Sequence, residues 1–228
     1  MTAQFIYTGP SWAKQSYDDD RLRIPLTNVA QQWGIDCIDV SEINSNTETN
    51  LQEIKNTRSA LPVIWIYNEP IKMLKKATGL TAEEFLQRSD WRDIWHECNQ
   101  YCLKLINSLN RPVLLIGGHS DIVDCDYANI TVAHASYQQW ISKQCGVDFA
   151  QYSENFCWGA EVVHGMIYGN PCINPPQDMV LAVSNIFRFW KAMEMSGWFW
   201  QVHPNRRAIE AFATFIKPTV EQFLQDNQ

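Results

Sequence analysis

The chain has 228 residues, a net charge of −7, and 46% hydrophobic against 19% charged side chains, the composition of a globular protein able to bury a sizeable core. Its acidic balance argues against a nucleic-acid partner, since the only adjacent basic pairs are Lys75-Lys76 and Arg206-Arg207. No apolar run approaches the roughly 18 residues that span a bilayer, and no signal-peptide pattern opens the chain, so no membrane partner and a cytoplasmic location are expected.

In chain order, Phe5-Ile-Tyr-Thr is a short aromatic and β-branched run stopped by Gly9-Pro10, and predicts a buried first strand. Residues 12–23, with Asp18-Asp19-Asp20, predict a surface loop or short helix. Pro25 suits the first turn of a helix reaching Trp33, with Gly34 as its stop. Residues 35–40 predict a second strand, followed by the polar loop Ser41 to Asn46 and a short helix over 50–58. Val63-Ile-Trp-Ile-Tyr is the strongest strand; its unbroken apolar character predicts burial on both faces, as in a central parallel strand.

A long helical region is predicted over 81–109, opened by a Thr81/Glu84 capping box. Val113-Leu-Leu-Ile is a fourth buried strand, ending in Gly117-Gly118-His119-Ser120-Asp121. Residues 131–145 predict a helix closed by Gly146, and 147–175 an irregular insertion with a short helix near 159–165. Pro176 opens an apolar helix to about Ser196. After the turn His203-Pro204-Asn205, a terminal helix runs from Arg206 to about Leu224, kinked or divided at Pro218.

Strands alternating with helices predict one α/β domain built as a three-layer α/β/α sandwich around a mainly parallel sheet. Parallel strands open their carboxyl-end loops along one edge. That edge would carry Ser11, the Ser41–Asn46 loop, Asn68-Glu69 and His119-Ser120-Asp121. A hydroxyl nucleophile, a base and amide donors are what acyl transfer requires: the hydroxyl is inert until a base takes its proton, and the oxyanion needs donors facing it.

Gly9-Pro10-Ser11 after the first strand, Ile66-Tyr67-Asn68-Glu69 after the third, and Trp200-Gln201-Val202-His203-Pro204-Asn205 before the last helix resemble, in that order, the motif blocks of the SGNH (GDSL-type) hydrolases. The resemblance covers almost the whole chain and implies a flavodoxin-like SGNH fold. It implies Ser11 as nucleophile, His203 as base, and Asn68 with the Asn44 loop as oxyanion donors, acting on a carboxylic ester (an acyl or O-acetyl group of a small molecule or glycan). Trp12, Glu69, His119 and Trp200 would line the substrate site, and no metal or organic cofactor is needed. The chain departs from the pattern where the family's aspartates become Pro10 and Trp200, where Glu69 replaces an aspartate, where Ile66 replaces a glycine, and where Ile43, Asn44 and Ser45 stand for a glycine. Asp178 or Glu194 are the carboxylates that could replace the acid lost at Trp200.

Two other readings stay open on sequence. Losing both aspartates fits a catalytically impaired relative that binds a ligand or partner through the same cleft. His119 and Asp121 at a strand end could instead hold a divalent metal for ester or phosphoester hydrolysis. Neither an α/β-hydrolase elbow nor a dinucleotide fingerprint fits: too few strands precede Ser11, and no Gly-x-Gly-x-x-Gly follows the first strand. The seven cysteines, an odd number without framework spacing, read as free thiols.

Overall fold

The computed structural model describes residues 4–14, 16–17, 23–24, 29–118, 120–152, 159–200 and 202–227. The apolar runs become strands: β1 (Phe5–Thr8), β2 (Cys37–Asp39), β3 (Val63–Ile66) and β4 (Val113–Ile116). Every residue of β1, β3 and β4 is buried, as continuous apolar strands require. A fifth strand, β5 (Ile130–His134), lies where a helix was predicted. It pairs with β4 in parallel, but Thr131 and Val132 are exposed at this sheet edge, so its sequence lacks the apolar run of the inner strands.

All five strands are parallel and lie in the order β2-β1-β3-β4-β5. This is one of the two common doubly wound orders, with its switch point between β1 and β3. Short helices and turns join the strands: α1 (Ser11–Lys14), a 3₁₀ turn over Val29–Trp33, α2 (Thr47–Asn56), a 3₁₀ turn over Pro70–Met73, α3 (Leu74–Thr78), α4 (Ala82–Phe85) and α5 (Trp91–Asn107). The second half holds α6 (Tyr137–Cys145), α7 (Ala160–Gly169), α8 (Gln177–Met195) and α9 (Arg206–Asp226), which runs undivided through Pro218.

Alternation along the strands sorts the helices into layers. Phe5, Tyr7, Ile64, Ile66, Leu114 and Ile116 pack with Trp33 and with residues of α6, α8 and α9. Ile6, Val63, Trp65, Val113 and Leu115 pack with Leu51 and Ile54 of α2 and Leu103 and Ile106 of α5. The architecture is compatible with a three-layer α/β/α sandwich. No described helix is long and apolar enough to cross a membrane.

The predicted helix over 81–109 divides in two because its apolar residues do not share one stripe. Phe85 and Ile94, nine residues apart, would lie on opposite sides of an unbroken helix at about 100° per residue. Broken between α4 and α5, both face one core cluster with Trp91 and Trp95. The Thr81/Glu84 capping box forms as expected, with Glu84 N donating to Thr81 Oγ1 at 3.2 Å and Thr81 N donating to the Glu84 carboxylate at 2.8 Å. Helix α2 starts earlier than predicted because Asn46 caps it, accepting from Thr49 N at 3.0 Å.

The insertion extends the core. Val163 of α7 joins Ile71, Leu74, Met179 and Val183. Of the other sequence expectations, Asp18 to Asp20, the helix start at Pro25, and residues 153–158 lie outside the described residues.

Gly117 and Gly118 allow strand ends to close together. Gly117 N donates to His134 O at 2.8 Å, and a Cβ on Gly117 would run into the carbonyl of Ala135. A Cβ on Gly118 would sit 2.9 Å from Tyr67 O. At both glycines the close approach is to neighbouring backbone. Gly117→Ala is therefore expected to destabilise the fold by about 3 kcal/mol, read as a lower midpoint in urea unfolding, because backbone rather than a flexible side chain must move.

Burial pushes the thiols of Cys98 and Cys102 up to about 12. Burial likewise holds Tyr7, Tyr67 and Tyr137 well above the ordinary phenol value. For an acid whose folded pKa is raised, stability is complete below the unfolded value and is lost as pH climbs through the folded one. Stability should thus start to fall once pH passes the ordinary thiol range and keep falling toward about 12. In the native protein at pH 8, a disulfide-exchange reagent should modify exposed Cys172 quickly and reach Cys98 and Cys102 only on unfolding.

Candidate active site

The carboxyl edge of the sheet is built around the turn that leaves β1. Gly9 has a φ of +147°, and a Cβ there would lie 2.8 Å from Ala13 Cβ, Ile66 Cβ and Ile66 O, so only glycine fits. Pro10 O accepts from Ala13 N at 2.9 Å, and the Tyr7 hydroxyl donates to Ala13 O at 3.1 Å. These bonds turn the chain at once into α1, whose first residue is Ser11.

His203 reaches the same point from the far end of the sequence. Its Nε2 lies 2.9 Å from Ser11 Oγ, across 192 positions. The histidine is 8% exposed, while Ser11 is half-buried, so the pair keeps partial access to solvent. The turn that carries it is tightly held. His203 and Pro204 form a two-residue antiparallel ladder with Phe199–Trp200, and Asn205 N donates to Trp198 O at 3.1 Å. The Asn205 amide donates to Gly197 O at 2.8 Å, and its side-chain oxygen caps α9 by accepting from Ala208 N at 3.1 Å.

The loop after β2 lies against Gly9. Glu42 N donates to Gly9 O at 3.1 Å, as does Ser45 Oγ at 3.3 Å. Asn44, exposed in this loop, has a φ of +64°, the left-handed conformation that favours glycine. Below it lies a buried polar knot. The Asn68 side-chain oxygen accepts from Trp65 Nε1 at 2.8 Å and from Asn50 Nδ2 at 3.0 Å. Its nitrogen donates to Ser45 O at 3.0 Å and, more weakly, to Ser45 Oγ at 3.4 Å.

Asn68 is wholly buried. The sequence reading had its amide facing a substrate oxygen; in the structure that amide faces Ser45 and clamps the Asn44 loop. Ser45, Asn50 and Trp65 were missed as its partners. The polar character of the Ser41–Asn46 run was the sequence signal for Ser45, and Asn50 and Trp65 lie outside it.

Other expected site residues fall as follows. Trp12 is 0% exposed and forms no wall of an open cleft: its ring packs edge-on against Tyr137 and Phe199, with centroids 5.4 Å away in each case. Glu69 is buried beside Asn68 and pairs with Lys72 at 2.7 Å. His119 lies outside the described residues, as does the side chain of Trp200, whose backbone pairs with His203.

Neither substitute acid is turned to the histidine. Asp178 accepts from Arg92 at 2.6 Å and from Trp91 Nε1 at 3.1 Å, which also keeps its carboxyl below the usual range, through Arg92 first. Glu194 accepts from Lys191 at 2.8 Å, one turn away on α8. Asp121 is buried and accepts from Gln139 Nε2 at 3.0 Å. No three His, Cys, Asp or Glu side chains among the described residues converge as metal ligands.

Compared with models of known protein families, with curated proteins and with solved structures, the chain has no match.

The buried knot can be tested directly. Asn68→Ala leaves Trp65 Nε1, Asn50 Nδ2 and Ser45 O without their partner, each worth about 1–3 kcal/mol when buried. A loss of at least about 3 kcal/mol is expected in denaturant unfolding, and an unchanged midpoint would remove the clamp from the account.

Proposed function

We propose that the protein is a serine hydrolase of the SGNH type that cleaves a carboxylic ester, an acyl or O-acetyl group on a small molecule or glycan. The observation that carries this reading is the 2.9 Å approach of His203 Nε2 to Ser11 Oγ. The strand order supports it, since the loops after β1 and β3 flank the switch point where doubly wound sheets bind ligands. So does the left-handed Asn44, within the Ile43, Asn44 and Ser45 stretch that stands where the family carries a glycine.

In this mechanism Ser11 Oγ attacks the ester carbonyl as its proton passes to His203 Nε2. The carbonyl π pair moves onto oxygen, where the Ser11 backbone N–H and the Asn44 loop hold the charge. Asn68 contributes by fixing that loop through Ser45. The tetrahedral intermediate collapses, the C–O bond to the alcohol breaks, and His203 returns the proton to the departing oxygen. Water, deprotonated by His203, then attacks the acyl-serine, and Ser11 leaves with the proton restored.

A second reading, a ligand-binding relative without turnover, is favoured by Trp200 in place of the family aspartate and by the Asn68 amide turned toward Ser45. A fluorophosphonate probe separates the two. The wild type should label and hydrolyse p-nitrophenyl acetate, Ser11→Ala should do neither, and His203→Gln should lower kcat about a thousandfold. Absence of labelling, with a control esterase reacting, would sink the hydrolase reading and leave the binding one.

A further inference from the structure

Two residues next to the pair are bonded to each other. The Trp12 indole N–H donates to Val202 O at 3.2 Å, joining the position after Ser11 to the position before His203. We infer that this brace makes Trp12 the positioning residue that sets the Ser11–His203 distance, a deepening that rests on the hydrolase reading above.

Three features support the role. The indole is wholly buried and its plane is fixed from two sides, by Tyr137 and by Phe199, so its N–H direction is set by core packing. Phe199 belongs to the ladder opposite Pro204, so the ring that orients Trp12 is part of the strap that carries His203. Tyr137 is itself stacked on Phe212 of α9, at 3.7 Å between centroids, which ties the indole to the helix that the His203 turn leads into.

On the other side the strap is held by Asn205 through Gly197 O and Trp198 O. His203 thus hangs between two clamps, and the Trp12 clamp runs to the segment that carries Ser11, which also meets the strap where Ser16–Tyr17 lies beside His203–Pro204. One buried N–H therefore takes part in registering nucleophile to base. A shift of about 1 Å between reacting groups can lower a rate about a hundredfold, so a brace one residue from each partner is well placed to govern turnover.

The test removes the N–H and keeps the ring. Trp12→Phe, and in parallel benzothienylalanine installed at position 12, which preserves the indole's size but cannot donate, are compared with wild type. Fluorophosphonate labelling and ester turnover are measured alongside the thermal midpoint and the ¹H–¹⁵N spectrum of the His203 ring, assigned with His203→Gln.

With the fold retained, labelling and kcat should fall about ten- to hundredfold in both variants, while KM moves less than twofold. The His203 ring signals should shift toward those of Ser11→Ala. Wild-type labelling rates and ring signals in a folded benzothienylalanine variant would overturn the brace. If the wild type does not label, the ring spectrum still decides: movement toward the Ser11→Ala signals keeps the brace while the hydrolase reading falls, and no movement overturns it. If Trp12→Phe unfolds, the near-isosteric variant carries the comparison.

Discussion

Position 9 must be glycine, and the carboxyl edge of the sheet follows from that. The residue sits at a φ of +147°, and a Cβ there would lie 2.8 Å from atoms of both Ile66 and Ala13. Its carbonyl accepts from both Glu42 N and Ser45 Oγ. The end of β1, the flank of β3, the first turn of α1 and the loop after β2 therefore converge on one residue without a side chain. Ser11 lies where it does because the strand can turn this tightly and because three other elements then close around the turn.

The polar groups beneath this junction form a second constraint. Hydrogen bonds buried in a protein add little net energy when complete and are expensive to leave half-made, so a knot such as Trp65–Asn68–Asn50–Ser45 acts chiefly on uniqueness. Shifting Asn68 by one position would strand several partners at once. The exposed left-handed residue Asn44 gains a fixed place in this way.

What could be read from the sequence divides along physical lines. β1, β3 and β4 were legible because strands buried on both faces must be apolar throughout, whereas Ser11 and His203 were paired only through the ordered blocks that resemble the SGNH hydrolases. β5 was not: two of its five residues are exposed, Ala133 and the following Ala135 suit a helix, and no glycine or proline separates it from α6. The break between α4 and α5 was hidden in the same manner, since periodicity within each piece is sound and only the phase between Phe85 and Ile94 betrays it. Side-chain partnerships were the least legible of all. Asn68 was singled out by its place after β3, yet nothing in a linear sequence says whether its amide faces a cleft or Ser45. Trp12 reads as a pocket aromatic until its burial and its bond to Val202 are seen.

The Ser11–His203 approach closes a loop of nearly the whole described chain, 192 positions between partners. Such a contact has a high sequence separation, so its entropy of closure is met only after the intervening sheet and the docking of α9 have brought the two ends near. Most of the parallel sheet could be in place while the pair is still far apart. Competence of the site is therefore a late property of folding, and it reports on the whole chain: a species with native helix content but an undocked α9 would carry the serine, the histidine and no site.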